Sequence, residues 1–333
     1  MPVLIIAEAG VNHNASVDTA FRLVEAAAAA GSDIVKFQTA IPELALTGRA
    51  GMAAYQVSRG KPAESQLEMA RRIHLPLEAF DPIAEHCRRC GIEFLSTAGE
   101  PVSLDFLAKR NPRFFKIPSG EVTNLLYLRQ VAGYGKPVIL STGMASLDEV
   151  REAVEALVAA GLRKQQVIVL HCNTEYPTPM HDVNLRAMLT IRDELGVQVG
   201  YSDHTLGIEV PIAAVALGAT VIEKHFTLDR NMPGPDHKAS LEPSELRSMV
   251  AAIRNIEAAL GDGVKRPSDS ERPNQAIVRK SLVAARTIRA GELLSDENVV
   301  AKRAGAGISP MRWDEVSGRP ARRDFAADEP IEL

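Results

Sequence analysis

Residues 4–38 read LIIAEAGVNHNASVDTAFRLVEAAAAAGSDIVKFQ, and the order of patterns within them decides the fold. Leu4 to Ala9 and Asp33 to Gln38 are short apolar runs of strand character. Between them, Val17 to Ala30 is Ala-rich and amphipathic, and Gly31 follows where a left-handed C-cap is needed. Strand, helix, strand is the order expected when parallel strands are joined by crossover helices. The pattern recurs outward along the chain. Glu93 to Thr97, Phe114 to Pro118, Val138 to Thr142, Val167 to Cys172, Gln198 to Ser202 and Val221 to Phe226 bring the candidate strands to eight, the number of a (β/α)8 TIM barrel. Leu147 to Ala160, closed by Gly161, is another outer-layer helix.

Two stretches break the rhythm. Leu44 to Leu75, punctuated by Gly48, Gly51, Gly60 and Pro62, reads as a long βα loop on the catalytic rim. After the helix Pro243 to Leu260, Gly261 to Pro273 is rich in Gly, Pro, Ser and charge, which marks a linker. The expected division is a barrel over residues 1–262, a linker over 263–279 and a small second domain over 280–333. In the last, Ser281 to Ala285 and Asn298 to Ala301 are short apolar pieces, too little chain for much of a core.

Composition narrows the function. A chain of 333 residues that is 46% hydrophobic can bury a large core, so disorder is excluded. With 38 basic and 42 acidic side chains it carries a formal charge of -4, and no basic excess favours nucleic acid as a partner. The apolar opening Met1 to Ile6 meets Glu8 too soon for a signal peptide, and no run approaches the ~20 apolar residues of a membrane span. A cytoplasmic protein without a membrane partner is expected. Three cysteines do not describe a disulfide scaffold, which fits a reducing compartment. Cys87 and Cys90 form a C-x-x-C inside a helical stretch, Ala79 to Arg89, with no second pair to complete a zinc site.

Reacting groups of such barrels project from the carboxyl ends of the strands. Glu8 ends the first strand, Lys36 and Gln38 the second, Lys116 and Ser119 the fourth, Ser141 the fifth, His171 to Tyr176 the sixth, His204 the seventh and His225 the eighth. A full ring of buried polar groups is harder to dismiss than one, because each buried charge needs its own partner. Lys36, Lys116, Ser119, Ser141 and Ser202 form a set suited to phosphate or carboxylate. The alternative is that the lysines snorkel or pair with Glu8, Glu121 or Glu223. His204 and His225 end neighbouring strands, where two imidazoles can meet one divalent cation and leave positions open for water and substrate.

Seven motifs carry a further reading. They are Ala7-Glu8-Ala9-Gly10-Val11-Asn12-His13-Asn14, Val35-Lys36-Phe37-Gln38, Phe115-Lys116-Ile117-Pro118-Ser119-Gly120-Glu121, Ser141-Thr142-Gly143-Met144, Ser202-Asp203-His204-Thr205, Glu223-Lys224-His225-Phe226-Thr227 and Gly234-Pro235-Asp236. In this order they resemble the signatures of the sialic acid synthase family, over essentially the whole chain. The C-terminal segment is similar to that family's antifreeze-like (SAF) domain, through Ser281-Leu282-Val283, Gly291-Glu292 and Val300-Ala301-Lys302-Arg303. His171-Cys172-Asn173-Thr174-Glu175-Tyr176-Pro177-Thr178-Pro179 looks more like the N,N'-diacetyllegionaminic acid synthases than their N-acetylneuraminate relatives. Two places depart from the family pattern: Ala98-Gly99-Glu100 stands where Pro-Phe-Asp is frequent, and Ala304 follows Arg303 where proline is common.

The resemblance implies a reaction and an assembly. Phosphoenolpyruvate would condense with an N-acylated amino sugar, 2,4-diacetamido-2,4,6-trideoxymannose before N-acetylmannosamine, to give a nonulosonic acid. Lys36, Lys116, Ser119, Ser141 and Ser202 would hold phosphoenolpyruvate. His204 and His225 would bind a divalent metal ion, manganese before magnesium or cobalt, with Glu8 beside it as base or water-positioning group. Gln38, Thr174, Tyr176, Asp236 and Arg303 would meet the sugar, with Glu121 in support. A domain-swapped homodimer is implied, with Arg303 delivered to the partner's sugar pocket. Two rivals remain: a Schiff-base lyase using Lys116 or Lys224, and a sugar-acid or phosphate-binding protein without catalysis.

Overall fold

A computed structural model describes residues 2–52 and 64–333 of the chain. Eight parallel strands, β1 (Leu4–Gly10), β2 (Ile34–Thr39), β3 (Glu93–Ala98), β4 (Phe115–Ile117), β5 (Val138–Ser141), β6 (Val167–Cys172), β7 (Gln198–Asp203) and β8 (Val221–His225), close in sequence order into a barrel. The helices are α1 (Val17–Ala30), α2 (Pro42–Ala45), α3 (Gln66–Ile73), α4 (Phe80–Cys90), α5 (Pro101–Ala108), α6 (Leu125–Gly133), α7 (Leu147–Ala159), α8 (Arg186–Leu195), α9 (Glu209–Ala216) and α10 (Pro243–Leu260). None of the helices among the described residues is long and apolar enough to cross a membrane.

The ends of α1 show why this sequence stops and starts where it does. The Ser16 hydroxyl accepts from the Thr19 amide at 3.2 Å, and Gly31, at φ +83°, donates to the carbonyls of Ala27 and Ala28. Period-two alternation then sorts the strand residues. Ile5, Ala7, Val35 and Phe37 face outward and pack with Ala20, Leu23, Val24 and Ala27 of α1. Ile6, Ile34, Leu95, Phe114, Ile139, Ile168, Leu170 and Val221 form a separate buried cluster that fills the barrel interior. At Gly200 of β7 a Cβ would come within 2.3 Å of the Val221 carbonyl oxygen, so a side chain there has no room.

The expected loop from Leu44 to Leu75 is corrected in part. α3 occupies Gln66–Ile73 because Ser65 and Glu68 form a capping box, with the Glu68 amide donating to Ser65 Oγ at 3.2 Å and the Ser65 amide to Glu68 Oε2 at 2.8 Å. The punctuating Gly60 and Pro62 lie outside the described residues. The two cysteines of the C-x-x-C lie on α4 as free thiols, with Cys87 buried and Cys90 half-buried.

By its contacts the chain forms two units, Met1–Gly261 and Asp262–Leu333. The second contains α11 (Arg272–Val278), β9 (Lys280–Ala284), β10 (Val299–Arg303) and α12 (Trp313–Val316). α11 lies in the segment read as linker; a proline in its first turn is compatible with helix, which the Gly/Pro count concealed. β9 and β10 pair antiparallel, over a core that includes Leu282, Ile288, Leu294, Val316 and Phe325.

Candidate active site

The register of the barrel brings charged residues level with one another. Glu8 on β1 stands between Lys36 on β2 and His225 on β8, Thr97 on β3 is level with Lys116 on β4, and Ser202 on β7 is level with Glu223 on β8. Each lies two residues beyond a residue of the inner layer (Ile6, Ile34, Leu95, Phe114, Gly200, Val221 and, at a further step of two, Glu223 before His225), so all point inward. They line a cavity of about 440 Å3.

Four of these side chains form a chain of opposite charges. Lys36 Nζ lies 2.7 Å from Glu8 Oε2 and 3.6 Å from Glu223 Oε2, and Lys116 Nζ lies 3.5 Å from Glu223 Oε1. Hydroxyls complete it. Lys36 donates to Thr97 Oγ1 at 3.1 Å, Lys116 to Ser141 Oγ at 2.7 Å, and Ser202 to Glu223 Oε1 at 3.0 Å. The alternative that the lysines pair with Glu8 or Glu223 is therefore true, and it coexists with an open cavity.

Burial and pairing pull these groups apart. Burial raises Glu8 to about 7 against the pull of Lys36. Burial opposes the charge of Lys36, but Glu223 and Glu8 outweigh it and hold the ammonium above its ordinary range. Lys116 is lowered by burial, which the attraction of Glu223 only partly offsets. Burial pushes Glu223 up, and Lys116 and Lys36 together more than reverse this.

A second part of the cavity holds hydroxyl, thiol and amide groups. Ser119 Oγ accepts from the Gly143 amide at 3.0 Å and lies 3.3 Å from Cys172 Sγ. Gly143 must be glycine for this approach, since a Cβ would stand 2.5 Å from Thr174 Cγ2 and 3.1 Å from Ser119 Oγ. Gln38 Nε2 donates to Glu8 Oε1 at 3.3 Å.

The third part is aromatic. His204 and His225 have ring centroids 5.4 Å apart, and Tyr176 stacks on His204 at 4.0 Å and meets His225 edge-on at 5.5 Å. His204 Nδ1 is bonded to the Asn173 carbonyl, so it carries the proton and Nε2 keeps its lone pair, accepting from the Tyr176 hydroxyl at 3.0 Å. Burial lowers His204 to about 4 and His225 well below the ordinary histidine value, so both rings are neutral. His225 Nδ1 is buried with no hydrogen-bond partner, and Asp236 Oδ2 lies 4.0 Å away. Neutral imidazoles with lone pairs on one cavity wall fit a divalent cation. Among the described residues no group of three or more His, Cys, Asp or Glu is arranged as a metal cluster, so the fit rests on this pair.

Not every expected residue joins the cavity. Glu121 is half-buried, accepts from Asn124 Nδ2 at 2.6 Å and stands outside the lining. Asp236 lines an adjoining cavity together with His225, and Arg303 ends β10 in the C-terminal unit. His171 faces away, bonded to the Val183 carbonyl at 3.0 Å. Lys224 also faces outward, fully buried and paired with Asp203, which removes it as a lyase amine. Glu100, part of the departure from the family pattern, caps α5 by accepting from the Val102 and Ser103 amides at 2.6 and 3.0 Å, and does not line the cavity. Thr97 lines the cavity without having been named, while Glu223, named only as a lysine partner, and Cys172, named only within a motif, line it too. The signal for Glu223 was its place two residues before His225 on one strand face.

Residues 23–265 match the model of the NeuB family. The chain belongs to the NeuB family. Residues 279–333 of this NeuB chain match the SAF domain. It is 50% identical over 328 residues to the N,N'-diacetyllegionaminic acid synthase of Campylobacter jejuni, covering 98% of each chain. It is 43% identical to the N,N'-diacetyllegionaminic acid synthase of Legionella pneumophila, over 98% of this chain and 92% of that one. The crystal structure of N-acetylneuraminic acid (sialic acid) synthetase from Leptospira borgpetersenii in complex with citrate superposes with a TM-score of 0.71 at 34% identity, covering 82% of this chain and 90% of that one. Of the cavity's charged and imidazole groups, Glu8 alone precedes the segment of the NeuB match.

Proposed function

We propose that this NeuB chain condenses phosphoenolpyruvate with an N-acylated amino sugar and water to give a nonulosonic acid and phosphate, with 2,4-diacetamido-2,4,6-trideoxymannose favoured over N-acetylmannosamine. The observation that carries the reading is one cavity in which two buried ammonium groups and several hydroxyls lie beside two neutral imidazoles. The names borne by relatives at 50% and 43% identity support the choice of sugar.

Lys36, Lys116, Ser119, Ser141 and Ser202 would hold the phosphate and carboxylate of phosphoenolpyruvate, two ammonium charges and three hydroxyls suiting a polyanion. C3 of the enol attacks the aldehyde of the ring-opened sugar, and Gln38, Thr174, Tyr176, Asp236 and Arg303 would hold that sugar. A divalent ion bound by His204 and His225, manganese before magnesium or cobalt, would supply Lewis-acid polarisation of the carbonyl. Bond formation leaves positive charge at C2. Water adds there, and Glu8, which burial raises to about 7, would take its proton. The hemiketal phosphate then breaks its C–O bond, with Lys116 and Lys36 stabilising the departing phosphate. The protein would act as a homodimer, which light scattering tests by mass.

A phosphate-release assay with phosphoenolpyruvate and manganese, comparing the two sugars with and without EDTA, tests the reading. Release with neither sugar removes it. The lowered pKa of Lys116 is the one observation that favours a Schiff-base lyase instead; an adduct trapped by borohydride with pyruvate would establish that chemistry.

A further inference from the structure

The hydroxyl of Ser119 differs from those of Ser141 and Ser202 in having uncharged partners. Ser141 Oγ accepts from Lys116, and Ser202 spends its proton on Glu223. Ser119 Oγ instead accepts from the Gly143 amide at 3.0 Å and lies 3.3 Å from Cys172 Sγ.

The frame around that contact is rigid. Cys172 stands two residues beyond Leu170 of the inner layer on β6, so it points into the cavity and joins its lining. The amide and the hydroxyl of Thr142 both donate to the Leu170 carbonyl, at 3.1 and 2.9 Å, which ties the chain just past β5 to β6. The next residue is Gly143, whose amide turns to Ser119. A Cβ there would stand 3.3 Å from Cys172 Sγ and 3.1 Å from Ser119 Oγ, so the three groups meet closely.

Proton counting decides what the contact does. A serine hydroxyl has one proton and two acceptor lone pairs, and a thiol has one proton to give. If Ser119 donates to the sulfur, only a lone pair is left to face an incoming anion. If the thiol donates, Oγ accepts from Gly143 and Cys172 together, and the O–H is all that it still offers. Burial pushes the Cys172 thiol above its ordinary range, and Ser119 and Lys116 offset this only in part, so the sulfur keeps its proton.

We infer that Cys172 is a positioning residue for the anion: its S–H and the Gly143 amide fill the acceptor side of Ser119 Oγ and make that hydroxyl a donor to the phosphate or carboxylate of phosphoenolpyruvate. The inference rests on the proposed synthase reading and adds to it the residue that sets the polarity of one anion contact. The effect of Cys172 on the ligand passes through Ser119, and it vanishes when Ser119 has no hydroxyl.

A double-mutant cycle on the full-length chain tests this. It is read as the Kd of phosphoenolpyruvate by calorimetry, and as KM and kcat for phosphate release with manganese and 2,4-diacetamido-2,4,6-trideoxymannose. Ser119→Ala should weaken phosphoenolpyruvate binding by roughly tenfold or more, as for a lost hydrogen bond to a charged group. Cys172→Ala should weaken it by roughly threefold to tenfold, with kcat and the KM for the sugar little changed. In the Ser119→Ala background Cys172→Ala should add nothing, whereas a thiol that only fills space would be missed in both backgrounds. Cys172→Ser, which puts a donor back on the same β-carbon, should bind phosphoenolpyruvate nearly as the wild type does. The infrared S–H stretch gives a second measurement that decides the question even if Cys172→Ala fails to fold. With phosphoenolpyruvate bound, the band absent from Cys172→Ser should move to higher frequency in Ser119→Ala, as the thiol loses its acceptor. Unchanged binding in Cys172→Ala, equal weakening in both backgrounds, no rescue by Cys172→Ser, or a band indifferent to Ser119→Ala overturns the inference and leaves the synthase reading standing. A wild type that neither binds phosphoenolpyruvate nor releases phosphate removes both.

Discussion

The two ends of the barrel interior are built by the same strands, two residues apart, and they do opposite work. Ile6, Ile34, Leu95, Phe114, Ile139 and Val221 form an apolar layer. Two positions further along those strands stand Glu8, Lys36, Thr97, Lys116, Ser141 and Glu223. The first set gains stability from burial. The second loses hydration and recovers it only through neighbours such as Ser141, Ser202 and Thr97, so its residues are held in place for chemistry rather than for stability. What separates a floor from an active site here is one period of the pleat.

Four substitutions or titrations can break or sharpen that contrast. The largest effect is expected at the rim: His225→Ala should abolish phosphate release while circular dichroism still reports a folded barrel. Activity near wild type, persisting with chelator, would take the imidazole pair out of the reaction. Lys116→Met should cut turnover by a factor of hundreds, on the order of 3 kcal/mol of lost stabilisation of the departing phosphate. A change confined to KM would assign Lys116 to binding alone.

The floor should answer in the other currency of measurement. Ile139→Ala is expected to cost about 2–5 kcal/mol of unfolding free energy with little change in kcat per folded molecule. A fall in kcat as large as its loss of stability would mean the two layers are not separable. The smallest effect is a slope. Glu8 sits at about 7 when folded, against 4.5 as its ordinary value, so between those limits the folded chain holds a proton that the unfolded chain has lost. Its contribution to stability is present below about 4.5 and declines as pH rises to about 7. Melting of the metal-free protein from pH 5 to 8 should fall more steeply for the wild type than for Glu8→Gln, and equal slopes would mean the carboxyl is already ionised.

Much of this contrast was legible in the chain alone, and the gaps have physical reasons. The eight strands stood out as short apolar runs with polar ends, and their bounds shift by only a residue or so, as where Phe114 to Pro118 contracts to Phe115–Ile117. α3 was hidden because counting Gly and Pro over Leu44 to Leu75 overlooked the Ser65–Glu68 box, a start signal that needs only four residues. Lys224 was offered beside Lys116 as the amine of a rival lyase, and strand alternation removes it. Odd and even residues of β8 face opposite ways, so Glu223 and His225 enter the cavity and Lys224 turns to Asp203. The same rule turns Glu223 from a mere lysine partner into a member of the cavity lining. The small buried cluster of Val11, Met69 and Ile73 was beyond reach, since it joins a strand end to a helix whose existence had been missed.

The barrel closes by pairing its first strand with its last, which sets Glu8 directly beside His225. During synthesis the N-terminal half of that contact leaves the ribosome long before its partner. Without β8, Glu8 and Lys36 have neither Glu223 to share their charge nor His225 beside them. A C-terminally clipped chain ending short of β8 is thus expected to be not a sluggish catalyst but an unassembled one, because it lacks Glu223 and His225 altogether.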